Sequence, residues 1–178
     1  MLVSGVDDGY FPLYYKGGKG YTVLLSVVYE EYKILDVDFG FIKVDGNDAS
    51  RVLNSLNTGD ICILDGVTFG GFNYIDPKVL TKKFIIFYSS KPNLVKVEEA
   101  LKKHFTEERR QIIMSVLNSL VRISTIKGDI YIYTNMDMKV AKEIIEKYQI
   151  FDKIPEPLKN AHEISSSLST FLLSKRII

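Results

Sequence analysis

Leu2-Val3-Ser4-Gly5-Val6-Asp7-Asp8-Gly9 is a short apolar run halted by two carboxylates and a glycine, the form of a buried strand stopped by a turn. The layout returns at Ile61-Cys62-Ile63-Leu64-Asp65-Gly66, so two strands end in acid. If these strands are neighbours in one sheet, Asp7 and Asp65 converge, and like charges that close repel unless a proton or a cation intervenes. Two carboxylates suit Mg2+ or Mn2+, which keep several waters and can orient a phosphate while activating an attacking water. The chemistry expected of such a pair is metal-assisted hydrolysis of a phosphodiester. For either position alone, an Asp-Gly after a strand also serves as a plain turn.

Between the acidic ends, residues 21–31 and 33–44 are rich in Val, Ile, Leu and Tyr and predict two long antiparallel strands. Asp45-Gly46-Asn47-Asp48 breaks the pattern, and Asp48 is placed to cap a helix over residues 49–57. Beyond Asp65 come a glycine-rich aromatic segment (67–76), a short helix (77–82) and a buried strand (84–88). Helices are then expected over 95–105, 107–120, 138–148 and 156–173, with a hairpin of strands 121–126 and 129–134 turned at Lys127-Gly128. This order predicts an α/β fold with a five-stranded mixed sheet flanked by helices, the hairpin standing as an added lobe. Ligands of such sheets gather beyond the carboxyl ends of the strands. One domain over residues 1–178 is expected.

Composition sets the outer bounds. A chain of 178 residues with 46% hydrophobic content buries a sizeable core without help from disulfides, and its one cysteine, Cys62, reads as a buried inert thiol. Net charge is +1, so a nucleic acid would have to meet a local basic patch rather than a basic coat. No stretch suits a membrane span and no leader pattern opens the chain, so a cytoplasmic protein without a membrane partner is expected.

Several residues admit two readings. Asp8 is either a supporting acid beside Asp7 or the turn-forming half of Asp8-Gly9. Thr68 and Asn73 lie where glycines let backbone amides approach a phosphate, or they pack under the sheet. Lys16 and Lys19 stand in the glycine loop after the first strand, where Tyr10, Tyr14, Tyr15 and Tyr21 can line a groove. Phe69, Phe72 and Tyr74 could stack on bases or fill the core. Lys102-Lys103-His104 and Arg109-Arg110 form a solvated helix face or a phosphate contact.

Gly5-Val6-Asp7, Leu64-Asp65-Gly66, Thr68-Phe69-Gly70-Gly71-Phe72-Asn73 and Pro155-Glu156-Pro157-Leu158-Lys159-Asn160-Ala161-His162 carry a resemblance over nearly the whole chain. Together they resemble the archaeal domain-of-unknown-function family numbered ninety-nine, itself similar to endonuclease V, and so imply a ribonuclease H-like fold. Endonuclease V has a Gly-Val-Asp strand end, a strand ending in Asp-Gly, and a proline-rich turn into Arg-x-Ala-His; Lys159 replaces the arginine here. The resemblance implies that Asp7 and Asp65 hold Mg2+ or Mn2+, that His162 stands beside them, and that the substrate is DNA or RNA. Endonuclease V also has a glutamate between its two aspartates, behind a Pro-Tyr-Ile-Pro-like wedge, and neither is found here. Asp48 and Asp45 are the nearest substitutes. A non-catalytic nucleic-acid-binding module, or a protein-interaction scaffold, is the alternative to a nuclease. On the residues alone, His162 also reads as a surface or half-buried histidine of a serine-rich helix.

Overall fold

The computed structural model describes residues 1–178. Seven strands form one sheet in the order β3-β2-β1-β4-β7-β9-β8, and a two-stranded hairpin, β5-β6, stands apart from it. The strands are β1 (Leu2–Asp8), β2 (Tyr21–Glu30), β3 (Lys33–Lys43), β4 (Ile61–Asp65), β5 (Thr68–Phe69), β6 (Asn73–Tyr74), β7 (Lys83–Tyr88), β8 (Val121–Thr125) and β9 (Gly128–Thr134). The helices are α1 (Ala49–Ser55), α2 (Leu94–His104), α3 (Glu107–Asn118), α4 (Met138–Tyr148) and α5 (Glu156–Ser174). At the centre, β1, β4 and β7 run parallel, while β2, β3, β9 and β8 are antiparallel to their neighbours.

Side chains alternate across a strand, so each strand feeds two cores. Val6, Leu24, Leu64 and Ile86 pack with Leu53 of α1, Leu101 of α2 and Ile113 of α3 on one face. Val3, Leu25, Ile63 and Ile85 pack with Ile145 of α4 and Ala161 of α5 on the other. Cys62 is buried in the first core, as its apolar run predicted.

The hairpin of residues 121–134 corrects the expectation of an added lobe. β9 pairs with β7 from Ile85↔Thr134 to Tyr88↔Tyr131, and Ile130 and Ile132 are fully buried beside α4. Burial of those two side chains requires β9 to extend the sheet, which becomes seven strands wide instead of five. Residues 77–82 are also not a regular helix: only Pro77–Val79 form a single 3-10 turn.

α5 crosses directly over β1. Pro157, Ala161, Ser165 and Ser169 recur every four residues on its buried side, and these small side chains let the helix approach the strand closely. At Gly5 the approach is tightest, where a β-carbon would fall inside the contact shell of the Pro157 carbonyl. Ser165 and Ser169 are therefore on the packing side of the helix, while Ser167 is exposed.

Candidate metal and nucleic-acid site

The register of β1 against β4 runs from Val3↔Ile61 to Val6↔Leu64, and one further step sets Asp7 beside Asp65. Alternation puts both carboxylates on the α5 side, the side of Ile61 and Ile63. His162 enters from α5, and its Nδ1 lies 2.8 Å from Asp7 Oδ2. Asp7 is 4% exposed, whereas the His162 side chain is 63% exposed. Asp7, Asp8, Tyr10, Asp65, His162 and Ser166 line an open cavity of about 400 Å³.

Asp8 lies at the edge of the same cavity, and its Oδ2 accepts from Gly70 N at 2.7 Å. That bond ties the glycine-rich turn of β5-β6 to the strand end. Ser165 Oγ donates to the Asp8 carbonyl at 2.7 Å, so α5 grips the same residue. Gly66, Gly70 and Gly71 have φ of 90°, 59° and 80°, values that the sharp turns here require and that favour glycine.

Burial, then the charge of Asp65, then that of Asp8, raise the Asp7 carboxyl from its ordinary 3.8 to about 9. Asp8 and Asp65 are raised in the same direction, chiefly by burial. Asp65 is the exposed member of the three, so water screens its rise more than that of Asp7. Between the two values the folded chain keeps a proton that the unfolded chain releases, so stability without a cation falls as pH rises from about 4 to about 9. Asp7→Asn is therefore expected to raise the melting temperature of cation-free protein at pH 8, with the gain vanishing toward pH 4. Equal melting curves at both pH values would contradict this assignment.

Three expected site residues are committed elsewhere. Asn73, fully buried, accepts from Ala49 N (3.0 Å) and Tyr74 N (2.9 Å) and donates to the Lys43 carbonyl (2.8 Å) and Asp48 Oδ1 (2.6 Å). All four of its bonds are used, so it braces α1 against β5-β6 and has nothing left for a substrate. Asp48 accepts from Lys43 N and Asn73 and lies 3.7 Å from Arg51. It makes no side-chain cap bond to α1, because Asn73 already caps Ala49 N, and it is not among the residues lining the acidic cavity. Asp45 accepts from Gly17 N (2.9 Å) and Phe72 N (2.8 Å), joining the loop after β1 to the small hairpin. Asn73→Ala is expected to cost roughly 2–4 kcal/mol in urea melts, since each orphaned buried group costs about 1–3 kcal/mol.

Thr68 is half-buried in β5, and Lys16 and Lys19 are exposed in the loop between β1 and β2. Phe69 is core, and Phe72 and Tyr74 pack against it. Arg109 turns inward, donating to the carbonyls of Asp45 (2.7 Å) and Phe72 (3.2 Å) with its guanidinium 4.5 Å from the Phe105 ring centre. It locks the hairpin and leaves the surface cluster expected around it.

No three His, Cys, Asp or Glu side chains close on one point. Hydrated Mg2+ does not need such a cage, since it is commonly held by one or two carboxylates together with substrate phosphates. The hard oxygen donors of Asp7 and Asp65 fit that pattern.

The central parallel strands, the antiparallel β2-β3 edge and the helices on both faces define a ribonuclease H-like fold of the endonuclease V type. An endonuclease V from Ciona intestinalis, solved with DNA containing an inosine, superposes with TM-score 0.53 at 16% identity, covering 98% of this chain and 86% of that one. A protein of unknown function from Archaeoglobus fulgidus superposes with TM-score 0.78 at 22% identity, covering 94% and 97%. A UPF0215 protein from Sulfurisphaera tokodaii is 67% identical over 178 residues, covering 100% of both chains. The profile of the family described as endonuclease dU matches residues 1–169, and the chain belongs to that family.

Proposed function

We propose that this protein is a divalent-cation-dependent endonuclease that hydrolyses a phosphodiester of DNA or RNA, with Asp7 and Asp65 as the metal ligands. The observation that carries this reading is the meeting of two carboxylates, from strand ends 58 positions apart in the chain, beside His162 in one open cavity. Bound there, Mg2+ or Mn2+ supplies positive charge against a phosphate and acidifies water at neutral pH. His162 holds Asp7 through Nδ1, which leaves Nε2 free to take or give a proton at the reacting phosphodiester. Asp8 lines the same cavity and positions the β5-β6 turn; Asp48 and Asp45 are bound elsewhere. Lys16, Lys19 and Thr68 are assigned to the substrate, the lysines as phosphate contacts.

The family description and the inosine-containing complex of the Ciona neighbour direct the test toward strands with one deoxyuridine or one inosine. Labelled single strands and duplexes of each kind are incubated with Mg2+ or Mn2+, beside unmodified strands and chelator controls. Cation-dependent cleavage near the modified base is the expected result. No product with any strand or cation would remove the nuclease reading and favour the binding module, for which the absence of the endonuclease V glutamate speaks.

A further inference from the structure

The twelve residues between β1 and β2 leave the acidic cavity directly: Asp8 ends the strand, and Tyr10 both lines the cavity and opens the loop. Residues 9–22 contain five aromatic side chains and two lysines but no carboxylate. Within the loop, Tyr10, Leu13 and Tyr14 are 55%, 76% and 73% exposed, although an unpartnered large apolar side chain in water contributes nothing to folding.

The loop is nonetheless held rigidly. Thr22 Oγ1 donates to the Tyr10 carbonyl at 3.0 Å, and Lys16 N donates to the Leu13 carbonyl at 3.2 Å. Gly17 N donates to Asp45 Oδ2 at 2.9 Å, with Gly17 and Gly18 at φ of 76° and 77°. The Tyr15 ring lies on Gly20, where any side chain would collide with it, and Tyr14 meets that ring edge-on at 5.1 Å. Tyr15 therefore anchors the loop from within while Leu13 and Tyr14 are carried outward. Rigid, exposed aromatic surface beside basic groups suits stacking, because every nucleobase offers a π-face and little ordering entropy remains to be lost on binding.

We infer that this loop is a preorganised nucleobase-stacking platform: Leu13 and Tyr14 receive bases of the strand whose backbone lies at the Asp7–Asp65 cavity, and Lys16 and Lys19 contact the adjoining phosphates. The occupant, a single strand or an opened duplex, rests on the nuclease reading above, but the platform can be measured without turnover.

A strand with 2-aminopurine beside its deoxyuridine is titrated into the full chain in chelator, reading fluorescence and anisotropy together. Stacking is expected to quench 2-aminopurine on binding, and Tyr14→Ser to relieve the quench and weaken binding roughly tenfold. The double variant Lys16→Gln, Lys19→Gln is expected to keep the quench while flattening the salt dependence of binding. Unchanged melting temperatures for these exposed substitutions separate lost contact from lost fold. Quenching and affinity that Tyr14→Ser and Leu13→Ser leave untouched would overturn the inference. So would light scattering in which Tyr14→Ser splits an oligomer, since the loop would then be a contact between copies of the chain. Tyr14-dependent quenching without cleavage of any strand would leave the platform standing and remove the nuclease; cleavage with no quenching would do the reverse.

Discussion

Asp7→Asn should reduce cleavage roughly 10²–10³-fold, the scale on which removing one charge-stabilising group from a preorganised site slows chemistry, while the protein stays folded. The variant keeps the volume of the side chain and removes only its negative charge. Because the native carboxyl is raised to about 9 by burial and by two acidic neighbours, the fold does not depend on that charge. Activity and stability should therefore move in opposite directions at pH 8. Asp65→Asn should lose activity on the same scale, since Asp65 is the next register partner of Asp7. His162→Ala should lose activity roughly 10²–10⁴-fold, the scale of one general acid or base, since its Nε2 is the group assigned to the proton at the phosphodiester. The measurement is single-turnover cleavage across a range of Mn2+ concentrations. Full activity in Asp7→Asn would show that the cavity is not the reacting centre.

Much of this site could be read from residue order, because each part is a local pattern. An apolar run ending in Asp-Gly marks a strand end wherever it occurs, and both such ends are where the pattern put them. The five regular helices start and stop within a few residues of their expected bounds, because their apolar spacing and, for α2, α3 and α4, their caps are local too. What was not legible depended on distant partners. Asp48 reads as a helix cap and Asn73 as either a phosphate contact or a packed residue, and nothing local shows that they bond each other across 25 positions. Arg109 looked like half of a basic surface pair, but its carbonyl partner at Asp45 lies 64 positions away. The β7-β9 pairing, which turns a hairpin into part of the main sheet, has no signal shorter than the packing of α4 over Ile130 and Ile132.

Gly5→Ala should be among the most damaging single changes outside the cavity, and it tests how the geometry of the proposed site is built. Its β-carbon would meet the carbonyl and peptide carbon of Pro157 and the backbone nitrogen of Leu158, and backbone cannot swing aside as a side-chain tip can. Either β1 or the amino end of α5 must move. A cost of about 3 kcal/mol, the upper part of the range for overpacking, is expected in urea melts. Gly17→Ala is the matched control: φ there is 76° with nothing within 4 Å of an added β-carbon, so only backbone strain of roughly 1 kcal/mol remains. The two variants should also differ in function. His162 lies five residues beyond Pro157 on the same helix, so lifting that end of α5 draws the imidazole from its 2.8 Å contact with Asp7. Gly5→Ala should then cleave poorly even at temperatures where it remains folded, whereas Gly17→Ala should keep the chemistry at Asp7 and Asp65. A Gly5→Ala protein that melts and cleaves like the wild type would mean that the contact between strand and helix does not set the position of His162.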